Sequence, residues 1–251
     1  MSNEERKTDR PLILAIETAT RAGGVAVARG ENLLAALVGD PEISHSNNLI
    51  EMIQRVLSEV GVGLTDVDLF AVAVGPGSFT GLRIGLATIK AFAVHLDRRV
   101  VGVSTLAAVA HGAAATGGVV SLLQAGRGEV FAQQFSVADG QVNAIDEAQH
   151  LTPAAVAEKY SGVGPLTFAG EGARMFERMG SATTRDAIVS PAAVTDASAP
   201  LAASIAVLGF TAYLQGKAVA PNDLHAVYVR ASDAEINERW QQQKQQQPAQ
   251  S

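Results

Sequence analysis

Apolar residues in the first part of the chain fall into short runs and one helical period, which together predict alternating strands and helices. The short runs predict strands at Leu12–Ile16, Gly24–Ala28, Leu33–Val38, Leu69–Val74 and Val100–Val103. Spacings of three and four residues predict a helix with an apolar face made of Leu49, Ile53, Val56, Leu57 and Val60. Ser44 or Ser46 is a suitable N-cap for this helix, and Gly61 ends it. Two further helices are predicted, one ending near His95 and one beginning near Thr105.

The second part of the chain repeats this order more loosely. Strands are predicted at Val119–Gln124, at Glu129–Val137, at either Gln141–Ile145 or Ala148–Leu151, and at Leu166–Ala169. Helices are predicted at Pro153–Tyr160, Ala173–Met179 and Leu201–Gly216. The duplicated βββαβα order predicts an α/β fold of two similar lobes, each with a mixed sheet covered by helices.

The division of the chain follows from this repetition. We expect an N-terminal lobe at residues 11–104 and a C-terminal lobe at residues 105–235, with the boundary in the region 104–118. Residues 1–10 are expected to form a disordered N-terminal extension. Residues 236–251 are rich in Gln and lack apolar periodicity, which predicts a disordered tail.

Composition removes several classes of function. A net charge of −6 without a Lys/Arg cluster argues against a direct, non-specific grip on nucleic acid. The chain has no cysteine, which excludes disulfides, thiolate metal ligands and a cysteine nucleophile. The apolar stretch Leu201–Leu214 is shorter than the roughly 20 residues that span a bilayer. We therefore expect a cytoplasmic protein with no membrane association.

A glycine-rich segment between a predicted strand and a predicted helix is the main candidate for chemistry. Backbone N–H groups at Gly75, Gly77 and Gly81 could bind an anion at the helix N-terminus. The segment is neither a Walker A loop, which needs Gly-Lys-Ser/Thr, nor a G-x-G-x-x-G motif, because residue 80 is Thr. The alternative is a structural turn in which Pro76 fixes the bend and Ser78 or Thr80 caps the helix.

The helix after this segment has apolar residues on nearly every face and a flat strip formed by Gly81 and Gly85. Each glycine costs about 1 kcal/mol relative to alanine in a helix interior. A helix that is apolar all round needs a second covering surface, supplied either by the chain itself or by another subunit. A subunit interface would pair it with the Leu49–Val60 helix as half of a four-helix bundle. The residues predicted for this interface are Leu49, Met52, Ile53, Val56, Leu82, Gly85, Leu86, Ile89 and Phe92.

Two polar turns are further candidates for binding a ligand or a partner. Glu17 and Thr18 follow the first strand, where Glu17 could contact a phosphate or a Mg²⁺-bound water, or could close its own turn. Arg127 and Glu129 lie between two strands of the second lobe and could bind a ligand or pair with each other. The histidines form no H-x-x-x-H or H-E-x-x-H motif and the serines no G-x-S-x-G motif, so no catalytic set and no local metal site is predicted.

These motifs together resemble the TsaB (YeaZ) family, the dimerisation subunit of the bacterial threonylcarbamoyl-adenosine tRNA modification complex. The resemblance covers residues 11–235 and rests on Ile13–Thr20, His45-Ser46, Val74–Gly85, Val101–Leu106, Arg127–Phe131 and Val227–Arg230. It implies an actin-like (ASKHA, ribonuclease H-like) fold and no catalytic, cofactor-binding or metal-binding residues in this chain.

The same resemblance implies a set of partners. Catalysis is expected on a homologous subunit, TsaD, with the ATPase TsaE as a third component, and ATP and a divalent metal are expected on those partners. The chain is expected to form a homodimer when TsaD is absent and to reach tRNA through the complex. The metal ligands of TsaD correspond approximately to Thr105 and Val109, which cannot bind that metal as a pair.

The sequence departs from the family pattern at three places. Glu17 replaces the usual Asp, Gln124-Ala125-Gly126 replaces Asp-Ala-Arg, and Ala226 replaces a Pro. These changes weaken a ligand role for the turns and leave the two interface helices intact. Two alternatives remain open: an ATP-dependent small-molecule kinase of the same superfamily, using Glu17 and Gly75–Gly81 on phosphates, and a homodimeric structural protein with no role on tRNA.

Overall fold

A computed structural model describes residues 10–178 and 200–229 of the chain. Its first sheet has five strands in the order β3-β2-β1-β4-β5. They are β1 (Leu12–Glu17), β2 (Gly24–Arg29), β3 (Asn32–Val38), β4 (Leu69–Gly75) and β5 (Arg99–Ser104). Strand β2 runs antiparallel to both β1 and β3, whereas β4 and β5 run parallel to β1. The mixed sheet predicted from the sequence is confirmed.

Helices α1 (His45–Val60) and α2 (Phe79–Leu96) cover one face of this sheet. The apolar period of α1 places Leu49, Ile53 and Val56 in the core, next to sheet residues such as Val25 and Val27. Gly61 ends α1 in the left-handed conformation, with φ 72°, as glycine at this position commonly does.

The second sheet reproduces the order of the first four strands. It contains β6 (Gly117–Gly126), β7 (Glu129–Ala138), β8 (Gln141–Ala144), β9 (Gln149–Leu151) and β10 (Leu166–Ala169). Its order β10-β6-β7-β8 corresponds to β4-β1-β2-β3, and β9 also pairs with β7. The two strands that the sequence offered as alternatives therefore both form. The described residues contain no counterpart of β5 in this sheet.

Three short helices accompany the second half of the chain: α3 (Thr105–Gly112), α4 (Pro153–Lys159) and α5 (Arg174–Arg178). Thr152 caps α4 by accepting a hydrogen bond from the amide of Ala155 at 3.2 Å. Helix α3 lies between the sheets, because Ala108 packs in the core of the first and Leu106 in the core of the second.

Helix α6 (Leu201–Leu214) returns to the first lobe. Its residues Ala202, Ile205, Ala206 and Phe210 pack on the face of the first sheet opposite α1 and α2, against residues such as Ile13. The predicted boundaries assign α6 to the C-terminal lobe of residues 105–235, whereas the helix packs on the first sheet. The helix is apolar all round, so its sequence predicts burial but does not identify the sheet that buries it.

A C-terminal strap, residues 217–229, follows α6 along the first lobe. Val219 and Val100 exchange backbone hydrogen bonds of 3.1 and 2.9 Å beside the edge strand β5. Leu224 is buried in the core of the first sheet, and the amide of Val227 donates to the carbonyl of Val74 at 2.7 Å. The strap thereby reaches the glycine-rich segment at the end of β4.

Some sequence predictions fall outside the described residues. These are the N-terminal extension up to residue 9, the end of the predicted helix at Met179, Arg230 and the Gln-rich tail. Among the described helices, only α2 has the length and mean hydropathy of a membrane span. Leu82 and Ile89 of this helix are fully buried in the core.

The position of α6 leads to a stability prediction. Phe210 is 5% exposed and its replacement by Ala is expected to lower the free energy of unfolding by about 3–5 kcal/mol, because it leaves a cavity against the first sheet. Leu214, on the same helix, is 54% exposed, and Leu214→Ala is expected to change stability by less than about 0.5 kcal/mol. Urea unfolding of both variants measures the difference; equal effects would contradict the placement of α6.

Candidate functional site: the glycine turn and the outer side of helices α1 and α2

The glycine turn, residues 75–81, connects β4 to α2 and packs against other parts of the chain. Gly75 has φ 119°, and a Cβ there would lie 2.4 Å from the carbonyl oxygen of Val227. Both the backbone conformation and the contact therefore require glycine. The peptide bond between Gly75 and Pro76 is cis. The turn is thus held by the C-terminal strap.

The start of α2 lies directly on the turn that follows β1. A Cβ on Gly81 would lie 1.8 Å from the carbonyl oxygen of Thr18, and one on Gly85 would lie 2.3 Å from its Oγ1. The Thr18 hydroxyl donates to the carbonyl of Gly81 at 2.8 Å, and the amide of Ser78 donates to the carbonyl of Ala19 at 2.7 Å. The space that the glycines leave open is therefore filled by the chain itself.

This packing favours the structural interpretation of the glycine-rich segment. The Cβ position of Gly77 is occupied by Ala19, at 2.6 Å, and the Ser78 side chain caps α2 by accepting from the amide of Gly81 at 3.2 Å. The backbone N–H groups of a phosphate loop would point at the bound phosphate. Here they form a structural turn that brings α2 close to β1.

Glu17 closes its own turn. Its carboxylate accepts hydrogen bonds from the Thr20 amide at 2.7 Å and from the Thr20 hydroxyl at 2.5 Å, and the side chain is buried. Burial raises the pKa of Glu17, and the hydrogen bonds from Thr20 oppose that effect. His45, the first residue of α1, donates from Nε2 to the carbonyl of Thr20 at 2.8 Å. The turn is thereby tied to α1.

The polar turn of the second lobe is a tight hairpin between β6 and β7. Its two central residues, Arg127 and Gly128, have φ of 53° and 78°, as a type I′ turn requires. The carboxylate of Glu129 lies 2.9 Å from Nε2 of His150 on β9. Arg127 is exposed on this turn, far along the chain from Glu17.

The residues predicted for a subunit interface are mostly in the chain's own core. Those that are buried are Leu49, Ile53, Val56, Leu82, Gly85, Leu86 and Ile89. Of the predicted set, only Met52 and Phe92 are partly exposed. These buried residues pack in the core of the chain itself, and their contact with a partner stays a prediction. A charge at Ile53 or Leu86 would consequently disturb the fold itself.

A different set of apolar residues lies on the outer side of the two helices. Ile50 on α1 is 49% exposed and Val94 on α2 is 59% exposed. We define the α1–α2 surface as these two residues with Met52, Ile84, Ala87, Ala91 and Phe92, which are partly or fully exposed. A groove of about 600 Å³ adjoins this surface, and its lining includes Ile50, Leu57, Val62, Leu64 and Phe92.

Comparison with known proteins identifies the group to which this chain belongs. A family model described as TsaD, tRNA N6-adenosine threonylcarbamoyltransferase, matches residues 41–239. Two curated relatives are named tRNA threonylcarbamoyladenosine biosynthesis protein TsaB. The chain belongs to the TsaD-like family, in its TsaB (YeaZ) group.

The sequence match to each of these relatives covers only part of the relative's own length. TsaB of Escherichia coli (strain K12) is 36% identical over 49% of this chain and 54% of its own length. TsaB of Bacillus subtilis (strain 168) is 29% identical over 55% of this chain and 61% of its own length. The sequence match thus spans about half of these curated relatives.

A solved structure extends the likeness to the whole fold. YeaZ from Pseudomonas aeruginosa has a TM-score of 0.70 and 28% sequence identity, and the match covers 87% of this chain and 99% of that one. The actin-like (ASKHA) fold class and the TsaB (YeaZ) resemblance predicted from the sequence are confirmed.

Thr105 and Val109, the positions that the family resemblance predicts to match metal ligands of TsaD, lie inside α3. Thr105 and Val109 are both fully buried, and Val109 packs in the core of the second lobe. No group of three or more His, Cys, Asp or Glu side chains within residues 10–178 and 200–229 is placed to hold a metal ion.

The close packing of α2 makes Gly81 irreplaceable by alanine. Gly81→Ala is expected to lower the free energy of unfolding by about 3 kcal/mol, since its Cβ meets the Thr18 backbone, although alanine favours a helix by about 1 kcal/mol. Gly63→Ala is the control, because a Cβ there makes only ordinary contacts at 3.5 Å. Urea unfolding should show little change for the control; a neutral or stabilising Gly81→Ala would refute the packing described here.

The buried carboxyl of Glu17 predicts a particular pH dependence. Its folded pKa is raised above 4.5, so the folded state retains the proton more strongly and stability falls as pH rises from about 4.5 through the folded pKa. Glu17→Gln removes this effect. We expect the stability of the variant relative to the wild type to increase over that pH range, as measured by urea unfolding of both proteins. A difference that decreases with pH would show that the carboxylate form is the favoured one.

Proposed function

We propose that this chain is a non-catalytic scaffold subunit for threonylcarbamoylation of the adenosine next to the anticodon, in tRNAs that read codons starting with A. The names of the TsaB relatives and of the matched family model support this reaction. The α1–α2 surface is the observation that carries the scaffold role. It exposes apolar side chains on two neighbouring helices, as surfaces that bind another protein do.

The proposed partner is the catalytic homologue, TsaD. The family model described as TsaD matches this chain from residue 41, which includes α1 and α2, so the partner is expected to carry corresponding helices. Two helices from each protein would then form a four-helix bundle about a pseudo-twofold axis. A second copy of this chain offers the same two helices, so we expect a homodimer when TsaD is absent.

The division of chemistry between the subunits follows from the composition of the site. Thr105 and Val109 offer no ligand pair, and the glycine turn is filled by Thr18 and Ala19. In this proposal the chain binds no cofactor of its own, while ATP and a divalent metal are bound by TsaD and TsaE. The tRNA is held mainly by the complex, because this chain has a net charge of −6. The complex works in the cytoplasm, without membrane attachment.

The exposed position of Ile50 gives a direct test of the partner surface. Ile50→Asp is expected to weaken binding to the TsaD homologue about 100-fold or more, because a charge would be desolvated in an apolar contact. The fold should be retained, since Ile50 is 49% exposed. Isothermal titration with purified TsaD measures the dissociation constant.

Val163→Asp is the matched control for this test. Val163 is 50% exposed but lies in a loop of the second lobe, away from α1 and α2. The control should bind TsaD like the wild type. Normal binding by Ile50→Asp, or equal losses in the two variants, would rule out the α1–α2 surface as the specific contact.

A further inference from the structure

Three side chains stack at the start of α2, beside the α1–α2 surface. The guanidinium carbon of Arg83 lies 3.8 Å from the ring centroid of Phe79. The ring of Tyr228, on the C-terminal strap, lies 4.9 Å from that of Phe79 with a tilt of 39°. We call Phe79, Arg83 and Tyr228 the stacked cluster.

The cluster is held in place by backbone contacts. Phe79 is the first residue of α2, directly after the Ser78 cap. Tyr228 follows Val227, whose amide donates to the carbonyl of Val74 at 2.7 Å. The strap and the helix are therefore fixed relative to each other on both sides of the ring contact. Side chains held in this way lose little conformational entropy when they bind a partner.

The charge of Arg83 has no acidic counterpart within the described ranges. The ion pairs found there join Arg21 to Glu42, His150 to Glu129 and Lys159 to Asp146. Helix α2 contains no Asp or Glu at all, while it carries Arg83 and Lys90. A guanidinium stacked on a ring still presents its N–H groups in a planar fork, which matches a carboxylate.

The cluster is also exposed and flanked by apolar surface. Tyr228 is 47% exposed, Val227 is 52% exposed and Arg83 is exposed. Tyr and Arg are enriched among the residues that dominate binding energy in protein interfaces. Arg83 precedes Ala87 by four residues on α2, which places both on one side of the helix, so the cluster continues the α1–α2 surface towards the glycine turn.

We propose that the stacked cluster binds an acidic side chain of the protein partner, with Arg83 pairing with its carboxylate and Tyr228 packing against the apolar residues around it. This inference rests on the proposed function, because the partner is the one that covers α1 and α2. A protein is favoured over RNA as the occupant because the net charge of −6 and the lack of a Lys/Arg cluster provide no phosphate-binding surface.

Isothermal titration of the full chain with purified TsaD, at low and at high salt, tests the proposal. Arg83→Glu is expected to weaken binding about 30-fold, because it places two carboxylates opposite each other. Arg83→Gln is expected to weaken binding about tenfold and to reduce its salt dependence, since the ion pair is lost. Arg29→Glu is the control: Arg29 is an exposed residue at the end of β2, where the neighbouring Gly30 faces Phe210 of α6, and the variant should bind like the wild type.

The outcomes separate this inference from the proposed function. If the Arg83 variants keep their fold by circular dichroism and bind TsaD within about twofold of the wild type, the stacked cluster is not a partner contact. If they bind TsaD normally but lower the binding of tRNA to the assembled complex, the cluster faces RNA and the proposal is overturned. If the Arg83 variants bind TsaD normally and Ile50→Asp does not, the stacked cluster is ruled out and the proposed α1–α2 contact stands. Normal binding by Ile50→Asp as well would rule out both contacts.

Discussion

The contact between α2 and the turn after β1 determines the arrangement of the first lobe. The carbonyl oxygen of Thr18 occupies the space that a side chain at position 81 would need, 1.8 Å from where its Cβ would be. A helix can approach the Thr18 backbone this closely only if glycine lies at the contact. The hydroxyl of Thr18 then donates to the carbonyl of Gly81. Because α2 is fixed here, Leu82 and Ile89 enter the core and the opposite side of the helix must face outwards.

The outward side of α2 carries the exposed apolar residues on which the proposed function rests. Ala87, Ala91 and Val94 stay exposed there, and Ile50 of the neighbouring helix α1 is exposed too and lines a groove with Phe92 of α2. Burial of this exposed apolar surface would contribute roughly 25 cal/mol of free energy per Å². A second pair of helices would recover that free energy on association. In the proposed function, the glycine-rich segment contributes to association by fixing the position of α2.

The sequence predicts the first lobe well because its strands are short apolar runs and α1 has a clear helical period. The residues that it selects for an interface differ from those that the fold leaves exposed. Residues that fit the period of α1, such as Ile53, face the chain's own sheet, whereas Ile50 lies off that period and remains exposed, as Val94 does on α2. Periodicity identifies the buried face of a helix and says nothing about an outer face that a partner covers.

Two other features depend on contacts between distant parts of the chain. Helix α6 is apolar all round, so only the tertiary fold shows that it packs on the first sheet next to Ile13. Likewise, Tyr228 reaches Phe79 only because the strap pairs Val227 with Val74. For Glu17 the sequence left a ligand role and a structural role open, and the hydrogen bonds from Thr20 favour the structural one.

Reconstitution of the tRNA modification from purified components tests the central claim most directly. The assay would contain TsaD, TsaE, tRNA and the small substrates, with and without this chain, and would measure threonylcarbamoyl-adenosine formed per unit time. If this chain is a scaffold subunit, modification requires both this chain and TsaD, and this chain forms none of the product when TsaD is omitted. Equal modification without this chain, or modification by this chain in the absence of TsaD, would contradict the account.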